Sequence, residues 1–154
     1  MSAEENKATL LRVVDELNKG NSDFIDDVFS PNFAFYSPTS PNWPRGLEGA
    51  RKMITQLRSI LPDVHATVED IFAEGDKVAV RWTFRGTYQG EAKPGAPNPG
   101  EHCMAVSIST YRFVDGKIAD DWGLPHSGRR GTCGSRGEAF TILPPDLCLL
   151  VFSQ

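Results

Sequence analysis

Two neighbouring aspartates, Asp120 and Asp121, are the first candidates for chemistry in this chain. Successive side chains of a β-strand point to opposite faces, so only one of the pair can enter a cavity. A carboxylate in an apolar cavity has a raised pKa and can act as a general base or acid near neutral pH. His126 follows four residues after Trp122. Because histidine titrates near physiological pH, it could serve as a base or proton shuttle.

Each of these side chains also has a purely structural interpretation. The aspartates could be solvated or paired with Arg81 or Arg85, and His126 could lie in a surface loop. The two arginines share one face of a predicted strand, where an inward guanidinium would bind a carboxylate or enolate oxygen. An exposed or interface position is favoured for them, because unpaired arginine is seldom buried.

Aromatic and hydroxyl side chains form a candidate binding wall. Tyr36 could donate a hydrogen bond to a carbonyl or enolate oxygen, or its hydroxyl could pair with the backbone. The other candidates for contact with a flat, apolar ligand are Phe35, Trp43, Trp82, Met104, Ser107 and Ser109. Core packing is the favoured alternative for Trp82, whereas the proline-rich surroundings of Trp43 predict a pocket lid.

Helical patterns precede the strands. One helix is predicted to begin at the capping-box pair Ser2 and Glu5, a short one is broken by Pro31, and a third spans residues 47–61. The segment 31–45 contains four prolines and cannot be regular helix. Its aromatic side chains favour burial, so we expect it to line or cover a pocket.

An antiparallel sheet is predicted to follow. Alternation with a period of two indicates strands over 64–71, 77–88 and 103–113, and Asp115-Gly116 closes the last hairpin. Small residues on one face of the third strand leave room for a cavity. Helices first and a long curved sheet second predict a cone-shaped α+β domain with a pocket between the two layers. We place this domain at residues 1–124, followed by an atypical, partly flexible tail at 125–154.

The composition is that of a globular protein. The chain has 154 residues, of which 40% are hydrophobic and 23% charged, and its net charge of -4 gives no nucleic-acid footprint. No signal peptide or membrane-spanning run is present, and three widely spaced cysteines argue against a disulfide framework. No metal, nucleotide or Ser-His-Asp motif occurs. These features predict a cytoplasmic protein with reduced thiols, no metal or cofactor, and no nucleic-acid or membrane partner.

The chain closely resembles the SnoaL-like polyketide cyclases in two segments, PDVHATVEDIFAEGDKVAVRWTFRGTYQG and STYRFVDGKIADDW. The resemblance extends over about residues 10–122, and the group belongs to the nuclear-transport-factor-2-like superfamily. It implies a cone-shaped α+β barrel, commonly dimeric through its sheet. It also implies cofactor-free chemistry in which a carboxylate moves a proton at an activated carbon and an intramolecular aldol reaction closes a ring.

Three positions depart from the pattern of that family. Relatives often carry histidine where this chain has Tyr36, an acidic residue where it has Gly123, and a larger polar or acidic group where it has Ser109. The C-terminal helix that the resemblance leads us to expect soon after Trp122 is also missing from the sequence pattern.

The sequence thus predicts a cofactor-free cyclase or isomerase of secondary metabolism that acts on an activated polyketide or aromatic intermediate. Asp121 or His126 would transfer the proton, and Tyr36, with Ser109 nearby, would hold the developing oxyanion. The alternatives are a dehydratase (lyase-type) or hydrolase that uses Asp121 with His126, and a non-catalytic module for ligand binding or dimerisation. A carboxylate or imidazole inside the cavity would favour an enzyme.

Overall fold

The computed structural model describes residues 2–37, 41–92, 97–125, 131–133 and 138–140, with the backbone alone described from residue 124 onward. His126 and most of the predicted tail therefore lie outside the described residues. Within the described part, no helix is both long enough and apolar enough to cross a membrane.

Three helices form close to their predicted positions. Helix α1 (Ala3–Asn18) begins with the capping box, in which Ser2 Oγ accepts from the Glu5 N–H and the Glu5 carboxylate accepts from the Ser2 N–H. Helix α2 (Ile25–Val28) is a single turn, and α3 spans Gly46–Ile60. The sequence-based helices are confirmed.

Five strands make the main sheet. They are β1 (Phe29–Tyr36), β2 (His65–Glu74), β3 (Lys77–Thr87), β4 (His102–Val114) and β5 (Lys117–Pro125). Their spatial order is β1-β5-β4-β3-β2, and the short strands β6 (Gly131–Cys133) and β7 (Glu138–Phe140) extend from β4. Helix α1 packs against β2 and β3, and α3 packs against β1. The α+β cone fold is as predicted.

The first strand corrects the prediction of a wholly antiparallel sheet. The segment expected to be an aromatic loop begins as β1, which pairs with β5 in parallel and places Phe35 beside Asp121. The sheet is therefore mixed. Pro31 is compatible with this strand because β1 lies at the edge of the main sheet, where a missing backbone donor is tolerated.

A β-bulge in β5 determines which side chains face the helices. Across the hairpin, Phe113 pairs with Ile118 but Arg112 pairs with Asp120, so Ala119 is an extra residue. One inserted residue exchanges the two faces of the strand beyond it. We call the face that carries Tyr111, Ser109 and Asp121 the inner face. The opposite side, which carries Arg112, Asp120 and Trp122, is the outer face.

One cysteine differs from the expectation of reduced thiols. Cys103, near the start of β4, is disulfide-bonded, and its backbone pairs in register with Cys133 of β6. The thirty-residue separation of these positions gave no spacing signal in the sequence, because their proximity arises only from strand pairing.

Asn18, the last residue of α1, joins that helix to the unpaired edge of β2. Its Nδ2 donates to the Ala66 carbonyl at 2.8 Å, and its Oδ1 accepts from the Ala66 N–H at 2.7 Å. Because β2 ends the main sheet, the amide takes the place of a missing strand partner. This contact ties the helical layer to the sheet.

We expect Asn18→Ala to lower the free energy of unfolding by about 1–3 kcal/mol, since both backbone groups of Ala66 lose their partner. Denaturant titration measures the change. Asn42→Ala, at an exposed asparagine, is the control and should stay within about 0.5 kcal/mol of the wild type. Equal stabilities of the two variants would contradict this role.

Candidate active site

Asp121 is a buried carboxylate on the inner face. It retains only 3% of its accessible surface and lies between Phe35 of β1 and Tyr111 of β4 in strand register. Desolvation by burial raises the pKa of Asp121 to about 8, and the polar interaction with the nearby Tyr111 hydroxyl opposes this rise only in part. A carboxyl group with such a pKa can release or accept a proton near neutral pH.

Tyr111 is a site residue that the sequence analysis missed. Burial, followed by the charge of Asp121, raises the pKa of its hydroxyl well above the ordinary value. That hydroxyl interacts with the side chains of Asp121, Ser109 and Trp82. The sequence contained a signal, because Tyr111 continues the alternation of Ser107 and Ser109 along the same face of β4.

Two buried polar atoms of this cluster have no hydrogen-bond partner among the described residues: Asp121 Oδ1 and Trp82 Nε1. The Tyr111 hydroxyl lies near both side chains, yet it satisfies neither atom with hydrogen-bond geometry. Leaving a buried polar group unpaired costs about 1–3 kcal/mol. The cluster therefore holds one unused acceptor and one unused donor.

The inner face has room for a carbon atom beside Gly123. A Cβ atom at this position would lie 3.4 Å from Phe35 Cε2, 3.5 Å from Ser109 Oγ and 3.6 Å from Asp121 Oδ1. These are ordinary van der Waals distances, so the absent side chain leaves room for at least one carbon. A hydroxyl, a carboxylate oxygen and an aromatic edge all border that space.

Phe35 continues this wall towards the segment before α3. Its ring packs edge-on against Trp43, with centroids 5.5 Å apart. Trp43 is itself buried; its Nε1 donates to the Gly49 carbonyl at 3.1 Å, and Lys52 Nζ lies 4.5 Å from the ring centroid. The hydrogen bond to Gly49 at the ring edge and the contact with Lys52 over the ring face therefore hold Trp43 in place.

The structure groups five predicted residues on the inner side: Phe35, Trp43, Trp82, Ser109 and Asp121. Ser107 shares that face, opposite Trp82 in register. Arg81 and Met104 do not join them. Arg81 is exposed and bonded to Asp70, and Met104 pairs with Arg85 on the outer face.

Asp120 and Tyr36 also lie on the outer face, so Asp121 is the member of the aspartate pair that faces inward, and the prediction that Tyr36 contacts the ligand is corrected. Asp120 is bonded to Arg112, and Tyr36 stacks on Trp122 with centroids 5.2 Å apart. The physical reason is the bulge at Ala119, which turns Asp121 inward and its neighbours outward. The sheet therefore separates Tyr36 from any ligand that contacts Asp121.

No three side chains of the His, Cys, Asp and Glu types come together as possible metal ligands in the described ranges. The polar groups of the inner face described above are instead a carboxyl group, three hydroxyl groups and an indole N–H. Such a set can move a proton and hydrogen-bond a ligand.

The raised pKa of Asp121 predicts a distinct dependence of stability on pH. The folded state binds this proton more tightly than the unfolded state, where the pKa is about 3.9. The stability that this tighter proton binding contributes is therefore fully present below the pKa of the unfolded state. It is lost as the pH rises through about 8. Asp121→Asn should be more stable than the wild type by a few kcal/mol at about pH 9, and this advantage should shrink towards about pH 4.

Denaturant titrations across that pH range measure this difference. Asp120→Asn is the matched control, because it removes a carboxylate that is paired with Arg112 and should destabilise the protein at neutral pH. Parallel curves for the wild type and Asp121→Asn would show that Asp121 does not titrate abnormally.

The comparisons with known proteins agree with this architecture. A family model described as SnoaL-like polyketide cyclase matches residues 8–127. AclR from Streptomyces galilaeus, a proposed hydroxylase, is 31% identical over 80% of each chain, with a TM-score of 0.68. TsrD from Streptomyces laurentii is 25% identical over 82% of this chain and 91% of its own, with a TM-score of 0.70.

A third solved structure is IdmH from Streptomyces antibioticus, a proposed polyketide cyclase. It is 26% identical over 79% of this chain and 91% of its own, with a TM-score of 0.67. No curated protein matches the chain significantly. The family match covers both structural layers and every described residue of the inner-face cluster, and on this basis the chain belongs to the SnoaL-like polyketide cyclase family.

Proposed function

We propose that the protein is a cofactor-free cyclase or isomerase that uses Asp121 as a general base and acid on an enolisable polyketide or aromatic ketone. The observation that carries this proposal is the buried Asp121 carboxyl group, whose Oδ1 is unpaired and borders the space beside Gly123. Membership of the polyketide cyclase family supports the substrate class.

The chemistry requires one positioned proton acceptor. Ionised Asp121 removes a proton from the carbon next to a carbonyl group, and the electron pair moves to the carbonyl oxygen. The enolate then either attacks a second carbonyl carbon of the same molecule, which forms the ring and an alkoxide that takes the proton back from Asp121, or accepts that proton at another carbon, which moves the double bond. A positioned base contributes about 10²–10⁴-fold to such a step.

The surroundings of Asp121 suit this role. The aromatic side chains of Phe35 and Trp43 provide an apolar wall for a flat ligand and limit the access of water. The same desolvation that excludes water makes the carboxylate a stronger base, because the charged form is poorly solvated.

Two alternatives predict different partners for Asp121. A dehydratase or hydrolase would use His126 as the second acid–base group, and His126 lies outside the described residues. A non-catalytic binding module would need only the apolar wall and the serines. The inward carboxyl group favours an enzyme over that module.

A generic enolisation assay tests the proposal without knowledge of the natural substrate. The probe is methyl β-naphthyl ketone in heavy water, and NMR follows deuterium incorporation into its methyl group. We expect the protein to accelerate exchange and Asp121→Asn to lose about 10²-fold or more of that acceleration. Asp120→Asn, on the outer face, is the matched control and should keep it.

The pH dependence of the same reaction identifies the proton acceptor. Because the ionised carboxylate is the base, the protein-dependent exchange rate should rise with pH and level off above about 8. Equal exchange by wild type and Asp121→Asn, or a rate that falls over this range, would refute the assignment of Asp121 as base.

We further propose that the protein forms a homodimer through the outer face of its sheet. Three large apolar side chains are exposed there: Tyr36 at 42%, Trp122 at 39% and Ile108 at 44%. Tyr36 and Trp122 lie side by side in register, and a contiguous exposed apolar patch is typical of an interaction surface.

Sedimentation velocity tests the dimer. Trp122→Lys should shift the protein to the monomer, because it places a charge in the centre of the patch. Leu11→Lys, an exposed position on α1, is the control and should leave the sedimentation coefficient unchanged. A monomeric wild-type protein would rule out this interface.

A further inference from the structure

The indole N–H of Trp82 is a buried donor whose contact with the Tyr111 hydroxyl does not have hydrogen-bond geometry. Trp82 is 4% exposed, and its Nε1 has no partner among the described residues. Trp43 shows the usual arrangement, since its buried Nε1 donates to the Gly49 carbonyl at 3.1 Å. Buried tryptophan N–H groups normally find such a partner, so the exception needs an explanation.

The position of Trp82 places this donor in the candidate active site. Its ring stacks on Phe84 at 5.7 Å and packs edge-on against Tyr111 at 6.1 Å between centroids. The Tyr111 hydroxyl interacts with both Trp82 and Asp121. The unused donor and the unused carboxylate oxygen therefore belong to one cluster, organised around a single hydroxyl group.

Strand register places Gly123 between the levels of these two side chains. Trp82 lies opposite Ser107, and two residues along β4 Ser109 lies opposite Gly123. Asp121 follows one further step along the same inner face. Along the direction of β4, Gly123 thus lies between Trp82 and Asp121.

We propose that Trp82 is a substrate-binding residue whose indole N–H donates a hydrogen bond to the carbonyl oxygen of the ligand, while the carbon next to that carbonyl faces Asp121. The indole nitrogen is a donor only, so its partner must be an acceptor such as a carbonyl oxygen. This inference rests on the proposed function and assigns the oxyanion-binding role to Trp82.

The two groups would act on the same proton transfer. Asp121 accepts the proton from carbon, the C–H electron pair forms the new carbon–carbon double bond, and the carbonyl electrons move to oxygen. Trp82 keeps its own proton throughout. Because the oxygen gains negative charge, a fixed neutral donor stabilises the enolate more than the ketone.

NMR of the indole N–H groups tests binding directly. The chain has three tryptophans, so their resonances can be assigned with Trp→Phe variants. Methyl β-naphthyl ketone should move the Trp82 N–H proton downfield. The hydrocarbon β-isopropenylnaphthalene, in which a carbon replaces the carbonyl oxygen, should bind without that shift.

Trp82→Phe removes the donor and keeps an aromatic ring. We expect it to weaken ketone binding about 10-fold and to leave hydrocarbon binding unchanged. The unfolding midpoint should fall less than it does for Trp43→Phe, because Trp43→Phe breaks an existing hydrogen bond. A purely structural role for Trp82 would weaken both ligands alike.

The outcomes separate this inference from the proposed function. A ketone that leaves the Trp82 resonance unmoved, or equal loss of ketone and hydrocarbon affinity in Trp82→Phe, overturns the inference even if Asp121-dependent exchange is observed. A Trp82-specific shift without deuterium exchange supports the inference and refutes the proposed catalysis.

Discussion

The burial of a single carboxyl group, that of Asp121, is the constraint on which the site depends. Desolvation raises its pKa to about 8, and the nearby Tyr111 hydroxyl compensates only in part. A carboxylate in this position destabilises the folded state at neutral pH, and the surrounding sheet must hold it there. The bulge at Ala119 provides this constraint, because it determines which face each later residue of β5 points to and so turns Asp121 inward. Catalytic potential and lost stability thus have the same physical origin.

The two adjacent aspartates show how strongly environment decides the behaviour of one residue type. Asp120 is also buried, yet Arg112 lies opposite it and provides a counter-charge. Asp121 faces aromatic rings and hydroxyl groups and has no counter-charge. An apolar wall favours the neutral form of a carboxyl group. Strand alternation therefore places two residues of the same type in different surroundings: Asp120 in an ion pair, and Asp121 in the apolar site.

Local sequence signals made much of the fold predictable. Features that depend on pairing between distant segments could not be predicted. The capping box at Ser2 and the Asp115-Gly116 turn act within a few residues, so the first helix and the last hairpin follow directly from the sequence. Counting back from that turn, however, places Thr110 opposite Asp121. The bulge puts Tyr111 there instead. Neither this register shift nor the parallel pairing of β1 can be recognised from the residues of the strand concerned. For that reason the sequence could name the aspartate pair but not its inward member, and it placed Tyr36 on the wrong side of the sheet.

Gly123 connects the departures from the family pattern with the geometry of the site. The resemblance leads us to expect an acidic side chain there, and in this chain the position is empty and borders Asp121 Oδ1 and Ser109 Oγ. A second carboxylate so close would have raised the pKa of one of the pair still further by charge repulsion. In this chain, the carboxylate oxygen nearest to that position is Asp121 Oδ1, at 3.6 Å. A glycine at this position therefore keeps a second carboxylate away from Asp121 and leaves room for one carbon atom beside it.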